Sequence, residues 1–190
     1  MGNIMKGILA WGFFICFLFF ILMLSDHGKL KGMDNSVRTA WSNMDRQYQY
    51  RNDMILNLVD MVGSELSQEK DVLQTALAVH DRASKVQVSM DNPTPEMLEA
   101  YLNVQDSVRY ALGHLLFEAA KIPALKEDYG LFVFQKQLKG LEKRIEDKRN
   151  YFNYSVRKYN DYICSKMVAS WLGYKKRSCF DDDIETLTEE

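Results

Sequence analysis

Side chains that could bind a metal ion or act as nucleophiles are sparse in this sequence, and their spacing does not match a known reactive site. His27, His80 and His114 lie in three separate segments, and none forms a ligand pair of the H-E-x-x-H type. Neither common type of glycine-rich phosphate loop is present. These features favour a protein that is not an enzyme and that uses no cofactor, metal ion or small-molecule substrate.

The cysteines do not indicate a disulfide framework or a zinc site. Cys16, Cys164 and Cys179 are an odd number, and no C-x-x-C spacing occurs. Cys16 lies inside an apolar segment, so we do not expect it to pair with either of the others. Free thiols in a reducing compartment are the favoured interpretation, and a Cys164–Cys179 bridge is the alternative.

Three polar residues form a candidate cluster in the first part of the helical region. Arg51 occupies one position of an apolar stripe, whereas Asp53 and Asn57 share a helix face at i, i+4. A buried or half-buried polar cluster can fix the register of packed helices. The favoured hypothesis is that Arg51, Asp53 and Asn57 specify register, and the alternative is that they form a surface for a partner.

Four amphipathic helices are predicted to position these residues. Apolar side chains recur at alternating steps of four and three, in stripes that begin at Val37, Val72, Leu98 and Leu131. The first stripe extends to Leu66. Thr94 and Pro95 predict the start of the third helix, and Pro123 predicts its end. Residues 35–165 should therefore form a long antiparallel four-helix bundle, in which the chain runs up, down, up and down.

The segment 7–24 is predicted to cross a membrane. Its eighteen residues, GILAWGFFICFLFFILML, carry no charge and would cover roughly 27 Å as a helix, close to the hydrocarbon thickness of a bilayer. A cleaved signal peptide or a lipoprotein signal is disfavoured because the apolar core is long and bulky residues precede Cys16. The predicted fold class is thus all-α, with an N-terminal transmembrane helix followed by the bundle.

Flanking charges predict the orientation of this helix. Lys6 is the one basic side chain before the apolar segment, and three follow it, at Lys29, Lys31 and Arg38. Basic residues are retained on the cytoplasmic side, so residues 1–6 should lie outside the cell and the bundle in the cytoplasm. Residues 25–34 are expected to be a juxtamembrane linker.

Residues 166–190 combine a basic, aromatic segment with an acidic tail. If the bundle is antiparallel, this segment returns to the membrane surface, where it could contact anionic lipid. The residues expected to make this contact are Lys166, Trp171, Tyr174, Lys175, Lys176 and Arg177. The alternative is that the segment packs back on the bundle, with Trp171 and Phe180 covering the core.

Three ordered blocks resemble the LemA family of bacterial membrane proteins. The first, VRTAWSNMD followed by RNDMILNLV, is similar to the family pattern AWSxID…RRxDLIPNLV, although Leu56 stands where that pattern has proline. The second is the run 138–160, in which Phe152 replaces a tyrosine, and the third, LGYK with FD, is similar to FGFKPRPYFE. The resemblance implies an N-terminal anchor with its start outside the cell and a cytoplasmic helical domain. It implies no reaction.

These features together predict a non-enzymatic, membrane-anchored helical scaffold that associates with itself and could organise or shape the membrane. The alternative is an accessory or regulatory subunit of another membrane protein complex. The expected partners are the lipid bilayer, further copies of the chain and possible other membrane proteins. Nucleic acid is not expected, because the net charge is −2.

Overall fold

The structure is a computed structural model that describes residues 2–66, 68–90, 93–166, 169 and 172–180, with the backbone alone described at 2–10, 16, 19 and 22. Regular structure in these residues is entirely helical. The helices are α1 (Gly2–Val62), α2 (Lys70–Lys85), α3 (Pro95–Ala119), α4 (Pro123–Lys126) and α5 (Tyr129–Ser165). The all-helical class predicted from the apolar stripes is confirmed.

Helix α1 continues without a break from the apolar segment into the bundle. Residues 25–34, which were expected to be a linker, are helical. They contain no proline, and they pack on the bundle: Leu30 is fully buried, and Asp26 accepts a hydrogen bond of 2.6 Å from the Tyr162 hydroxyl of α5. The 61 residues of α1 span about 90 Å.

Helix α1 ends before the last residue of its predicted stripe. Its final residue is Val62, although the stripe extended to Leu66. A Cβ on Gly63 would lie 2.7 Å from the Val59 carbonyl oxygen, so the turn that follows α1 has no room for a side chain there. Leu66 nevertheless remains buried, because the turn folds back over the end of the core.

Two helix starts carry a side-chain cap, and the first of these caps was predicted from the sequence. The Thr94 hydroxyl accepts a hydrogen bond of 3.3 Å from the Met97 amide, and Pro95 is the first residue of α3. Asp128 caps α5 in the same way, through a bond of 2.7 Å from the Leu131 amide. Pro123, predicted to end the third helix, starts the short α4 instead.

The helices pack in alternating directions around α1, which contacts α2, α3 and α5. Helix α5 is antiparallel to α1, since Tyr162 bonds to Asp26 and Glu142 bonds to Arg51. Helix α3 runs parallel to α1, because its Tyr101 hydroxyl reaches Asp45 at 2.7 Å and Gln105, one turn later, is bound by Arg51. The end of α5 therefore returns to the level of residue 26, as the predicted topology requires.

Among the residues that the structure describes, no helix combines the length and the mean hydropathy needed to cross a membrane. The predicted span 7–24 lies partly outside the described residues, because the side chains of 7–10, 16, 19 and 22 are not described.

Candidate functional site

A buried arginine ties three helices together in the middle of the bundle. The Arg51 side chain is 4% exposed, and its Nη2 donates 2.6 Å to the Gln105 carbonyl oxygen of α3. Its Nη1 donates 3.2 Å to both carboxylate oxygens of Glu142 on α5. The guanidinium also lies 5.0 Å from the centre of the Tyr48 ring. One guanidinium on α1 thus binds both α3 and α5.

A polar cleft opens beside this arginine, between α3 and α5. Its volume is about 670 Å³, and its lining includes the charged residues Asp106, Arg109, Glu142, Lys143, Glu146 and Arg149. Arg109 pairs with Asp106 at 2.8 Å, so part of this charge is already compensated. Burial raises the pKa of the Tyr48 hydroxyl, and the nearby Arg51 opposes that rise. The cleft can recognise a group of mixed polarity, but its side chains show no nucleophile and base in contact.

The three residues predicted as one polar cluster are not brought together. Arg51 is buried, whereas Asp53 has a side chain that is 68% exposed, and Asn57 is also exposed. At 100° per residue, Asp53 and Asn57 point away from the stripe that carries Arg51. The prediction was therefore wrong about the membership of the cluster, and correct in placing Arg51 among apolar neighbours.

Asn52 is a buried polar residue that was not singled out from the sequence. Its Nδ2 donates 2.9 Å to the Ser84 hydroxyl and 3.3 Å to the His80 carbonyl oxygen, both on α2. A single stripe on α1 conceals this contact, because Asn52 faces a second neighbour at an angle to the stripe. The sequence feature that could have indicated this contact is the position of Asn52 next to Arg51. Two adjacent positions of one helix can face two different neighbouring helices.

A second arginine, with a largely buried side chain, fastens the tail segment, residues 172–180, to the bundle. The Arg177 side chain is 9% exposed. Its guanidinium donates to Asp34 on α1 and to the carbonyl oxygen of Met90 in the connection between α2 and α3. The guanidinium also lies 5.7 Å from the centre of the Tyr159 ring. Burial raises the pKa of the Tyr159 hydroxyl, and Arg177 opposes part of that rise. We call this set of contacts the clasp.

Two asparagines on α5 hold the backbone of the tail segment. The Asn160 side chain donates a hydrogen bond of 2.7 Å to the Arg177 carbonyl oxygen, and it accepts one of 2.9 Å from the Arg177 amide. Asn153 accepts 3.2 Å from the Phe180 amide. Seven helical residues rise about 10 Å, and three extended residues cover about the same distance. The spacing of the asparagines therefore matches the spacing of the amides that they bind.

Aromatic packing completes the clasp. The Phe180 ring stacks on Trp41 at 6.0 Å and lies 5.3 Å from Phe152, and the Arg149 guanidinium lies 5.4 Å from its centre. Trp41 also contacts the Tyr101 ring at 5.1 Å. The alternative in which Phe180 covers the core is thus what the structure shows. Trp171, named in the same alternative, lies outside the described residues.

The other residues expected at a membrane surface lie beside the start of the bundle. The Tyr174 hydroxyl is 3.3 Å from Nδ1 of His27, and Lys166 Nζ is 3.8 Å from Asp26. Lys175 and Lys176 are exposed. Arg177 differs from them because its guanidinium is bound to Asp34 and Met90 in the clasp.

Within the described residues, no group of three or more histidine, cysteine, aspartate or glutamate side chains is arranged to hold a metal ion. Cys164 is exposed and Cys179 is buried. The acidic tail, residues 181–190, lies outside the described residues.

Comparison with known proteins bears on the family of the chain. A comparison with curated proteins gave no match. The model of the LemA family matches residues 40–189, a range that contains both buried arginines, the two asparagines and Phe180. The chain therefore belongs to the LemA family.

Proposed function

We propose that the chain is a non-enzymatic, membrane-anchored helical scaffold that associates with copies of itself and so organises or shapes the membrane. The observation that carries this proposal is the continuity of α1 from Gly2 to Val62. One helix that holds both the apolar segment and a full side of the bundle core fixes the direction in which the bundle leaves the membrane.

The apolar part of α1 supports an anchor. Nine large apolar side chains between residues 11 and 24 are each at least 48% exposed: Trp11, Phe13, Phe14, Ile15, Phe17, Leu18, Phe20, Ile21 and Leu24. Such a dense exposed surface is unfavourable in water, and it suits a bilayer interior. We place the anchor in a bacterial inner membrane, with residues 1–6 outside and the bundle in the cytoplasm, because basic residues follow the apolar segment.

Self-association is supported by exposed aromatic side chains on the outward faces of α3 and α5. Tyr110 and Phe117 lie on α3, and they are 72% and 60% exposed. Helix α5 exposes Tyr129, Phe132, Tyr151 and Tyr154. Aromatic residues are enriched in protein interfaces. Copies held in one membrane meet in two dimensions, which raises their effective concentration.

Cross-linking in intact membranes tests this proposal. A short amine-reactive cross-linker should trap dimers and larger species of the full chain. The double variant Tyr151→Ser with Tyr154→Ser and the matched variant Tyr110→Ser with Phe117→Ser should show which outward face forms the contact. A strictly monomeric pattern for the unmodified chain would overturn self-association.

The second candidate function is an accessory subunit of another membrane complex. The polar cleft between α3 and α5 favours it, because Arg109 and Lys143 are exposed there and could meet an acidic segment of a partner. This alternative predicts that a different protein co-purifies in stoichiometric amount, whereas a scaffold mainly retains copies of itself. Arg109→Glu with Lys143→Glu should abolish that co-purification and leave cross-linking between copies intact.

A further inference from the structure

The clasp places basic side chains of two distant segments at the same height. Tyr174 contacts His27, Lys166 approaches Asp26, and Arg177 binds Asp34. All three contacts lie on residues 26–34 of α1, which rise over about 12 Å immediately after the apolar segment. The tail segment therefore lies beside the part of α1 that leaves the predicted anchor.

Five lysines lie on these neighbouring segments, and we call them the basic collar: Lys29, Lys31, Lys166, Lys175 and Lys176. Lys29, Lys31, Lys175 and Lys176 are exposed, and the Lys166 side chain is 43% exposed. Three acids lie at the same level, Asp26, Asp34 and Asp161, and the five lysines together with Arg38 and Arg177 outnumber them. The collar thus presents an excess of positive charge.

Between Arg177 and Phe180 the tail segment runs away from the collar along α5. Arg177 is held at Asn160, whereas Phe180 is held at Asn153, two helical turns further from the apolar segment. The acidic tail begins at Asp181, directly after Phe180. Phe180 therefore lies about 10 Å beyond Arg177, on the side away from the apolar segment.

We propose that the basic collar binds the phosphate groups of anionic phospholipids in the leaflet where the bundle emerges. This inference rests on the proposed anchor. Lysine suits the role because its long apolar stem can lie along the interface while its ammonium reaches a phosphate. The collar gives the chain a second attachment to the membrane and holds the end of α5 against it. The clasp is what joins that attachment to the bundle.

The test uses the full chain reconstituted in bilayers that contain phosphatidylglycerol and phosphatidylcholine in equal amounts. After extraction in mild detergent, native mass spectrometry measures the ratio of the two lipids that the protein retains. Lys175→Gln with Lys176→Gln should lower the retained ratio of anionic to neutral lipid about thirtyfold. Lys29→Gln with Lys31→Gln, on the other segment of the collar, should lower it by a similar factor.

Two exposed lysines far from the collar provide the control. Lys136→Gln with Lys139→Gln removes the same charge from α5 near its start, and it should leave the lipid ratio unchanged. An unchanged ratio in both collar variants, or an equal fall in the control, would overturn the proposal. Because the lysines are exposed, all variants should unfold at the same temperature.

Failure of the collar and failure of the anchor give different results. If the full chain is removed from membranes by alkaline carbonate, the proposed anchor is wrong. If the chain resists carbonate and the collar variants retain anionic lipid as well as the unmodified chain does, only the collar is wrong. Added inorganic phosphate should compete with lipid phosphate for the collar. If it reduced lipid retention equally in the collar variants and in the unmodified chain, the collar proposal would also be overturned.

Discussion

The environments of Arg51 and Arg177 have much in common, yet they do different work in the fold. Each arginine is nearly buried, binds one carboxylate and one backbone carbonyl oxygen, and lies near a tyrosine ring. Arg51 sits on a helix and joins three helices, whereas Arg177 sits in a non-helical segment and joins that segment to the bundle. The comparison shows that the same chemistry can fix the core or fasten an attachment to it.

The two environments also differ in what remains when the arginine is removed. Loss of Arg51 would leave the Glu142 carboxylate without its bond to α1, and it would remove the bond that joins α1 to the Gln105 carbonyl oxygen of α3. Loss of Arg177 would leave Asp34 with Arg38, whose Nε donates to it at 2.9 Å. We therefore expect a global effect at Arg51 and a local effect at Arg177, and the four predictions below test that difference.

The largest effect is expected for Arg51→Ala. It should lower the free energy of unfolding by about 3 kcal/mol, the lower end of the range for breaking a buried ion pair, because Glu142 is 36% exposed and can be hydrated. Denaturant unfolding of the full chain in mild detergent measures the change. Glu142→Gln keeps an acceptor and should cost less. Equal midpoints for Arg51→Ala and the unmodified chain would show that Arg51 does not hold the helices together.

Arg177→Ala should cost about 2 kcal/mol, a value typical of lost hydrogen bonds to a charged group. We expect most of this cost to appear as release of the tail segment, since the bundle core keeps its own contacts. Limited trypsin digestion at Lys175 and Lys176 should become faster, while the core remains protected. Lys139→Ala, at an exposed position of α5 away from the tail segment, is the control. Global unfolding of Arg177→Ala would show that the clasp belongs to the core.

The two asparagines separate the clasp into its parts. Asn160→Ala should cost about 1 kcal/mol through the loss of its bonds to Arg177. Amide hydrogen exchange should then accelerate at Arg177, and Asn153→Ala should accelerate exchange at Phe180. The exposed Asn150→Ala is the matched control. If one variant accelerated both amides equally, the tail segment would be released as a unit, and the matched spacing of the asparagines would not be needed to explain it.

The smallest effect concerns Tyr162, on α5 beside the tail segment. Its hydrogen bond to Asp26 raises the pKa of the Tyr162 hydroxyl from 10.0 to about 12. The folded state favours the neutral phenol, so this contribution to stability is complete below pH 10 and is lost as the pH rises towards about 12. Tyr162→Phe should cost about 0.5 kcal/mol at neutral pH.

Unfolding measured at a series of alkaline pH values tests this prediction. Stability of Tyr162→Phe should fall less between pH 10 and 12 than stability of the unmodified chain. The exposed Tyr151→Phe serves as the control, and its stability should follow that of the unmodified chain. Identical alkaline profiles for all three proteins would contradict the hydrogen bond between Tyr162 and Asp26.

Periodicity predicted the helices well and their ends less well. The stripe on α1 named residues that are buried, including Val37, Trp41, Met44 and Leu58. Thr94, Pro95 and Asp128 marked helix starts because capping is a local interaction. Val62 and Lys85 end their helices earlier than the stripes do, because apolar residues in a turn can still cover a core. Residues 25–34, predicted as a juxtamembrane linker, form part of helix α1, and they pack against α5.

The sequence by itself determined the all-helical class, the burial of Arg51 and membership in the LemA family. Each depends on residue type and spacing along one chain, which a helix of fixed period converts directly into a face. Only the tertiary structure decided that Asn52 is buried, that Asp53 is exposed and that Arg177 is held in the clasp. Those outcomes depend on which segments of the chain pack together. An irregular segment such as 172–180 has no repeating pattern of apolar residues that would predict its neighbours. Arg177 shows the reason most clearly, because its partners Asp34 and Met90 are 143 and 87 residues away along the chain.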